Sequence, residues 1–330
     1  MKAAYINETG PAENIIVGDL PTPSPAAGEV LIKTGAASVN PIDTYIRSGM
    51  VAMDLPKPYI IGCDLAGTIE SVGEGVTDFQ PGDRVWAANQ GTFGKQGTSS
   101  EYACLNSEWL HRTPENISNE DAASIALVGI TSHIGLVFRA RLQAGETVFV
   151  NGGSGGVGSM VVQIAKAIGA RVIATAGSDE RVAKCQEFGA DEAINYRTTD
   201  VAKAVTDFAP DGVNVFWETR READFEASVP LLAKGGRFIV MAGREAKPVF
   251  PVGPFYVKNC ELHGFAMFNY SAAEQKQCGE DLNRWLSDGS LKANIDRVLP
   301  LDEAAAAHKL QEENTIGLAG TLAGKIVLQP

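Results

Sequence analysis

The sequence predicts an α/β protein in which a doubly wound parallel sheet is flanked on both sides by other chain, β-rich on the N-terminal side. Three observations predict it. A short apolar strand runs into a glycine-rich turn that opens a helical pattern, TVFVNGGSGGVG from Thr147 to Gly158. From there to about residue 265, strand-like and helix-like stretches alternate. That is the rhythm of a parallel sheet covered on both faces. Before about residue 120 the chain reads instead as short strands punctuated by Gly and Pro, with no such rhythm.

In order, the first strands are KAAYI, GEVLIKTGAASVN, AGTIESVG and DRVWAA. Gly97, Thr98, Ser99 and Ser100 lie in a polar, glycine-rich stretch from Asn89 onward, which reads as a mobile loop. Ser118, with Asp121 three residues on, caps a helix, SNEDAASIAL. A second helix over about Thr131 to Arg139 leads to a turn at Gly145 and the strand at Thr147. After the glycine turn, Met160, Val161, Ile164, Ala165 and Ile168 stand at helical spacing, and RVIATA (171–176) is the next strand. A helix from about Asp179 to Phe188 follows, then strands near 192–195, 213–217 and 237–242. The C-terminal part has helices near 272–286 and 301–311 and ends in a strand, GKIVLQP.

Bulk properties narrow the function. The 330 residues allow about two domains. With 45% apolar and 21% charged residues, the composition is that of an ordinary globular chain. No apolar run is read as reaching the roughly 18 residues that span a bilayer, and the N-terminus carries no apolar signal segment. Five cysteines without C-x-x-C pairs, at 63, 104, 185, 260 and 278, read as reduced thiols and a cytoplasmic protein. A net charge of −12 argues against nucleic acid as a partner but leaves room for an anionic small ligand in a local cationic pocket.

Gly153, Gly155 and Gly158 fit G-x-G-x-x-G, with Ser154, Gly156 and Val157 between them. The first glycine permits the tight turn, the second lets the backbone approach a pyrophosphate, and the third lets helix and strand pack closely. The pyrophosphate then sits on unpaired N–H groups at the positive end of the helix. Alone the motif marks only a turn. Here a strand precedes it and a helix and a second strand follow, which is the context a dinucleotide site requires.

The signatures VNPIDTYIRSG (39–49), GCDLAGTIESVG (62–73), PGDRV (81–85), GGSGGVG (152–158) and GKIVL (324–328) occur in one order over nearly the whole chain. In these the chain resembles the zinc-free quinone oxidoreductase, or zeta-crystallin-like, branch of the medium-chain dehydrogenase/reductase superfamily. The resemblance implies a GroES-like β-rich catalytic domain over 1–122 and 266–330. It implies a Rossmann doubly wound NADP-binding domain over 123–265, inserted between those halves, with the active site at the junction.

Zinc-dependent relatives place Cys in the first signature and His-Glu in the second. Here Asp43 stands within the first, and Cys63-Asp64 follows Gly62 in the second. A catalytic zinc wants three nitrogen or sulfur ligands and an open position. Cys63 and Asp64 alone do not supply them, and His111, His133, His263 and His308 show no ligand spacing. No metal is expected.

An NAD site would place Asp or Glu after the second strand, on the ribose 2′-hydroxyl. This chain has Ala176, Gly177 and Ser178 there, then Arg181, whose guanidinium can clamp a 2′-phosphate. Asp179 and Glu180 are read as first-turn acids that favour the helix dipole. The expected cofactor is therefore NADP(H). The resemblance adds Thr131, Tyr196, Met241, Ala242, Gly243, Arg244, Phe265, Ala266, Met267 and Lys325 as cofactor contacts. One stretch departs from the family pattern. Glu218, Thr219, Arg220 and Arg221 follow the strand at Val213 where small residues are usual. They either line the pocket, where they would favour an anionic substrate, or begin a solvent-facing helix.

For chemistry, a hydride acceptor needs a group that stabilises charge developing on oxygen. The resemblance nominates Asn40 and Tyr45 for this, with Asp43 orienting them. Met50 to Met53 take the place of a second aromatic residue, which widens the pocket. The reading is an NADPH-dependent, zinc-independent reductase of quinones or α,β-unsaturated carbonyls (alkenals and enones). Two other readings stay open: a zinc-type alcohol dehydrogenase, and a non-catalytic NADPH- or RNA-binding crystallin-like protein. The stretch 261–268 resembles a strand that pairs across a dimer in this superfamily, so a homodimer is expected.

Overall fold

The computed structural model describes residues 1–330. In chain order the strands are β1 (Lys2–Ile6), β2 (Ile16–Asp19), β3 (Glu29–Val39), β4 (Tyr59–Ile60), β5 (Asp64–Val72), β6 (Arg84–Ala87), β7 (Tyr102–Asn106), β8 (Leu110–Arg112), β9 (Thr147–Asn151), β10 (Arg171–Ala176), β11 (Glu192–Asn195), β12 (Val213–Glu218), β13 (Leu232–Val240), β14 (Glu261–Gly264), β15 (Ile295–Pro300) and β16 (Lys325–Gln329). The helices are α1 (Pro41–Ser48), α2 (Asn119–His133), α3 (Gly156–Ile168), α4 (Asp179–Glu187), α5 (Val201–Phe208), α6 (Phe225–Ser228), α7 (Val252–Val257), α8 (Ala272–Ser287) and α9 (Ala304–Thr315). The chain forms two compact units. The first holds residues 1–127, 270–288 and 293–330, and the second holds 128–269 and 289–292.

The first unit is β-rich and is closed by both parts of the chain. A seven-stranded sheet runs β15-β16-β3-β5-β6-β8, with β7 also pairing β3, and a three-stranded sheet runs β2-β1-β4. Strand β16, near the C-terminus, pairs antiparallel with β3, with Ile326 opposite Val39. Val30, Ile32, Leu65, Ile69, Val85 and Leu105 form the core between these strands, at alternate positions where the pleat turns them inward. Helix α1 starts at Pro41, a residue suited to the first helical position, and stops at Gly49, which adopts φ 83°.

The second unit is a six-stranded parallel sheet of order β11-β10-β9-β12-β13-β14. This is the doubly wound dinucleotide-binding order, with its reversal between β9 and β12. Phe149, Ile173, Phe216 and Phe238 pack in its core, and the Phe216 and Phe238 rings stack at 4.5 Å.

Several expectations change. The two helices expected over 118–127 and 131–139 are one helix, α2, continued by six residues of π-helix, Ile134–Arg139. Gly129 does not break it. Gly135 lies directly against the Trp217 ring, where a Cβ would come within 2.1 Å of the indole. Taken together, 119–139 form a 21-residue helix whose most apolar 18-residue window has mean hydropathy 1.5, so one segment does meet the length and composition for a bilayer span; 83% of that window is buried within the fold. The end of the stretch read as a mobile loop is bonded into the fold, while residues 93–96 within it are exposed. Thr98, Ser99 and Ser100 are buried, Ser99 N–H donates to Ile61 O at 2.9 Å and the Thr98 hydroxyl donates to Asp64 O at 2.7 Å. The division between units falls after Leu127 and Asn269, where 122 and 265 were expected. Strands β2, β4, β7, β8 and β15 and helices α1, α5 and α7 had no counterpart in the expected elements.

Candidate cofactor and substrate sites

In the second unit, the expected cofactor segments converge on one rim. Because all six strands are parallel, their carboxyl ends lie on the same edge of the sheet. Asn151 leads into the glycine loop, Ala176 into Gly177 and Ser178, and Asn195 into Tyr196. Val240 leads into Met241, Ala242, Gly243 and Arg244, and Gly264 into Phe265, Ala266 and Met267. Thr131 sits apart from this set, on α2, and is 6% exposed.

The glycine loop has the form the motif requires. Helix α3 begins immediately after Gly155, and no side chain caps it. Its first-turn N–H groups are therefore open to an anion. A Cβ on Gly155 would meet nothing closer than Gly152 O at 4.0 Å, so space lies over that backbone. A Cβ on Gly158 would fall 2.0 Å from the same carbonyl, so only glycine fits where the helix crosses the strand end. These features fit a dinucleotide pyrophosphate.

The ribose end is neutral. Ala176 is buried, and the Ser178 hydroxyl accepts from Arg181 N–H at 3.4 Å, capping α4. Asp179 is turned away from any ribose role, since its carboxylate accepts from Asn195 Nδ2 at 2.7 Å. The Tyr196 hydroxyl lies against Gly177, and Tyr196 is half exposed. Arg181 is partly buried on the first turn of α4.

The catalytic candidates Asn40, Asp43 and Tyr45 belong to the first unit, and so does Lys325. The structure joins three of these four in a buried polar cluster. Asn40 is 0% exposed. Its Nδ2 donates to Asp64 Oδ2 at 2.9 Å, and its Oδ1 accepts from Lys325 Nζ. Lys325 Nζ also donates to Val39 O at 2.8 Å. Asn40 N–H donates to Asp43 Oδ2 at 2.7 Å, and the Ser38 hydroxyl donates to Asp64 Oδ2 at 2.7 Å. The Asn40 amide is thus spent inside the protein, and the Lys325 ammonium is engaged there too. The group expected to meet substrate oxygen and the group expected to meet cofactor are both internal struts here. Tyr45, on α1, is the only one of the three catalytic candidates that keeps partial exposure.

Asp64 and Ser38 were missed as members of this cluster. The signal was present in the second signature, where Cys63-Asp64 was weighed only as a metal-ligand pair. No group of three or more His, Cys, Asp or Glu side chains is placed to hold a metal ion. Of the histidines, His111 stacks on Trp86 at 4.2 Å, and His133 and His308 are buried. His263 lies 2.8 Å from the Glu261 carboxylate.

Burial sets the protonation of the cluster. It pushes the Asp43 carboxyl up to about 7, with Asp64 adding to the shift against hydrogen bonds from Cys63 and from Asn40 N–H. Burial also raises Asp64 and lowers Lys325, while the attraction between those two opposes both shifts. Folded Asp43 therefore keeps its proton well above the ordinary value of 3.8. Stability from this group is fully present below about pH 4 and is lost as pH rises through about 7, a swing on the order of 4 kcal/mol. Asp43→Asn is expected to remove that slope and to be the more stable form at pH 8. Urea midpoints at pH 5 to 8 test it, and parallel curves for the two proteins would refute it.

A parallel sheet in dinucleotide order with a glycine-loop rim, in one chain with a β-rich unit that buries an acid, amide and lysine cluster, defines a dinucleotide-linked oxidoreductase. Comparisons with known proteins agree. Residues 26–115 match the family description "Alcohol dehydrogenase GroES-like domain", and 156–285 match "Zinc-binding dehydrogenase". The chain is 34% identical over 301 residues to quinone oxidoreductase from Sus scrofa, covering 91% of this chain and 90% of that protein. It is 28% identical to 2-haloacrylate reductase from a Burkholderia species, covering 96% and 97%. Among solved structures, an NAD-dependent alcohol dehydrogenase superposes with TM-score 0.89 at 30% identity over the full length of both chains. Escherichia coli quinone oxidoreductase complexed with NADPH does so with TM-score 0.85 at 25% identity, also over both full lengths. This chain belongs to the quinone oxidoreductase branch of the medium-chain dehydrogenase/reductase superfamily.

Proposed function

We propose that this protein is an NADPH-dependent, zinc-independent reductase that reduces a quinone or the C=C bond of an α,β-unsaturated carbonyl compound. The observation that carries the reading is the strand-end rim of the second unit. It combines an uncapped helix start behind an open glycine loop with a ribose end that is neutral at Ala176 and cationic at Arg181. The rim and α2 offer Ser154, Gly155, Gly156, Val157, Gly158 and Thr131 toward the dinucleotide, with Tyr196, 241–244 and 265–267 around them. The nicotinamide, when bound, supplies hydride. Tyr45 stabilises the negative charge that develops on the substrate oxygen, and solvent returns the proton. Asp64 and Lys325 hold Asn40, and through it the start of α1, so that Tyr45 is presented from a rigid helix. The similarity to a reductase of haloacrylates favours C=C reduction. The engagement of Asn40 and Asp64 inside the cluster favours chemistry without zinc.

The test is NADPH oxidation by metal-free enzyme with a 1,4-quinone and an acyclic enone side by side. Turnover unaffected by chelator supports the reading. No turnover with either, or activity that requires added zinc, refutes it. Arg181→Ala is expected to raise KM for NADPH roughly thirtyfold while leaving NADH unchanged, from the loss of about 2 kcal/mol of charge-assisted hydrogen bonding. Equal effects on both cofactors would remove the 2′-phosphate role.

A homodimer forms part of the proposal. Strand β14 is an edge of the six-stranded sheet, and Leu262 on it and Tyr256 and Val257 just before it are exposed apolar residues. An open apolar edge invites strand pairing. Sedimentation equilibrium at micromolar protein should give twice the chain mass, and a monomer throughout would exclude the pairing. The five cysteines are all unpaired, which fits a reducing, cytoplasmic setting.

A further inference from the structure

The charged residues that depart from the family pattern form an ordered network at the carboxyl ends of β9, β10 and β12. The Thr175 hydroxyl donates to Asn151 Oδ1 at 2.9 Å and accepts from Gly152 N–H at 2.9 Å, so the network reaches the base of the glycine loop. Asn151 Nδ2 donates to both oxygens of Glu218, at 3.0 Å each. Glu218 is 1% exposed. It accepts from Arg220 Nε at 3.1 and 3.2 Å, from Nη2 at 2.8 Å and from the Arg220 N–H at 2.9 Å.

A carboxylate this deeply buried is costly unless its oxygens are satisfied. Here both are, and the same bonds fix the plane of the guanidinium. The Arg220 side chain remains 51% exposed, and its Nη1 takes part in none of these bonds. Asp224 is the other carboxylate whose charge acts on it. Glu218 ends β12, which neighbours β9 where the strand order reverses, and ligands of such sheets bind outside the strand ends at that point. A solvent-facing helix start is not what this stretch forms: 219–224 have no helical structure, and the helix begins only at Phe225.

We propose that Glu218 and Arg220 form a pre-oriented oxyanion-binding element at the switch point of the sheet. Glu218 is the positioning residue and Arg220 the contact. The ligand chemistry is a phosphate oxygen of the dinucleotide or the carboxylate of a small substrate such as a 2-enoate. This rests on the reading that the rim binds NADPH. An arginine held in one orientation loses less entropy when it makes a second set of bonds, so the element favours planar or tetrahedral oxyanions over neutral carbonyls.

Two readouts test it in full-length protein: NADPH binding by calorimetry without substrate, and the ratio of kcat/KM for acrylate to that for methyl vinyl ketone. Arg220→Gln is expected to shift one of them by about tenfold or more. A weaker NADPH Kd with an unchanged ratio assigns the dinucleotide phosphate. A fall in the ratio with an unchanged Kd assigns the substrate carboxylate. Arg220→Lys should recover only part of the loss, because an ammonium cannot bridge Glu218 in the same plane. Arg220→Gln leaves the buried Glu218 carboxylate without its cation, so a thermal melt accompanies both readouts, and Arg220→Lys, which retains the charge, carries the test if Arg220→Gln does not fold. Changes below about twofold in both readouts, with wild type binding NADPH normally, overturn this element alone. Failure of wild type to bind NADPH overturns the cofactor reading and the element with it.

Discussion

Gly158→Ala is expected to weaken NADPH binding at least a hundredfold, a loss of about 3 kcal/mol or more. The added Cβ would lie 2.0 Å from Gly152 O, 2.9 Å from Gly152 C and 3.0 Å from Gly153 Cα. All three are backbone atoms of the loop itself, so no side chain can swing aside. Either α3 backs away from the end of β9 or the loop is pushed into the space over Gly155. The first loosens the packing of Met160, Val161 and Ile164, which are all buried. The second fills the place where a pyrophosphate would rest. Overpacking of this kind costs roughly 1–3 kcal/mol in stability, so the melting temperature should also drop by a few degrees. Calorimetric titration with NADPH and a thermal melt together decide it. Binding within about threefold of wild type would mean that the loop is not the pyrophosphate site.

Lys325→Met is expected to destabilise the first unit by about 3–5 kcal/mol, the usual consequence of removing one partner from a buried charged set. Lys325 is 4% exposed, and its ammonium is the only cation among the bonds that tie Asn40, Asp43 and Asp64 together. Without it Asp64 keeps the Ser38 and Asn40 bonds but loses the nearby positive charge, and Asn40 Oδ1 and Val39 O lose their donor. Asp64→Asn placed on top of Lys325→Met should restore part of the loss, since it removes the uncompensated charge. Urea unfolding of the three proteins measures both terms. A single-variant cost below about 1 kcal/mol would show that Lys325 is not holding the cluster.

Much of the second unit was legible because each of its signals is local. A strand, a glycine turn, a helix and a second strand specify one another within about 30 residues, and the missing acid at Ala176 is a single-position fact. The cofactor segments after β11, β13 and β14 needed resemblance to be named, yet they fall on the strand-end rim. The first unit was harder to read. Asn40 was expected, from resemblance, to turn its amide toward substrate oxygen. Its actual partners, Asp64 and Lys325, lie 24 and 285 residues away, and nothing in the local pattern pairs them. The single helix over 119–139 was divided in two because Gly129 and the polar Thr131, Ser132 and His133 look like an interruption. Burial of that segment overrides its intrinsic preferences. The stretch around Gly97 was misjudged for a similar reason. Polar loops are usually mobile at the surface, but Thr98 and Ser99 are bonded to the strands beneath them.

The pairing of β16 with β3 has a consequence for how the molecule is made. Val39 waits for Lys325, 286 positions later, before its carbonyl is satisfied and the central sheet of the first unit gains its last strands. The second unit, by contrast, is nearly one unbroken run from Val128 to Asn269. On the ribosome, the dinucleotide unit is fully synthesised while the first unit is still an open sheet with an unneutralised Asp64. Strand β16 thus carries two things at once: it joins β15 to β3, and it brings the one internal cation of the buried cluster.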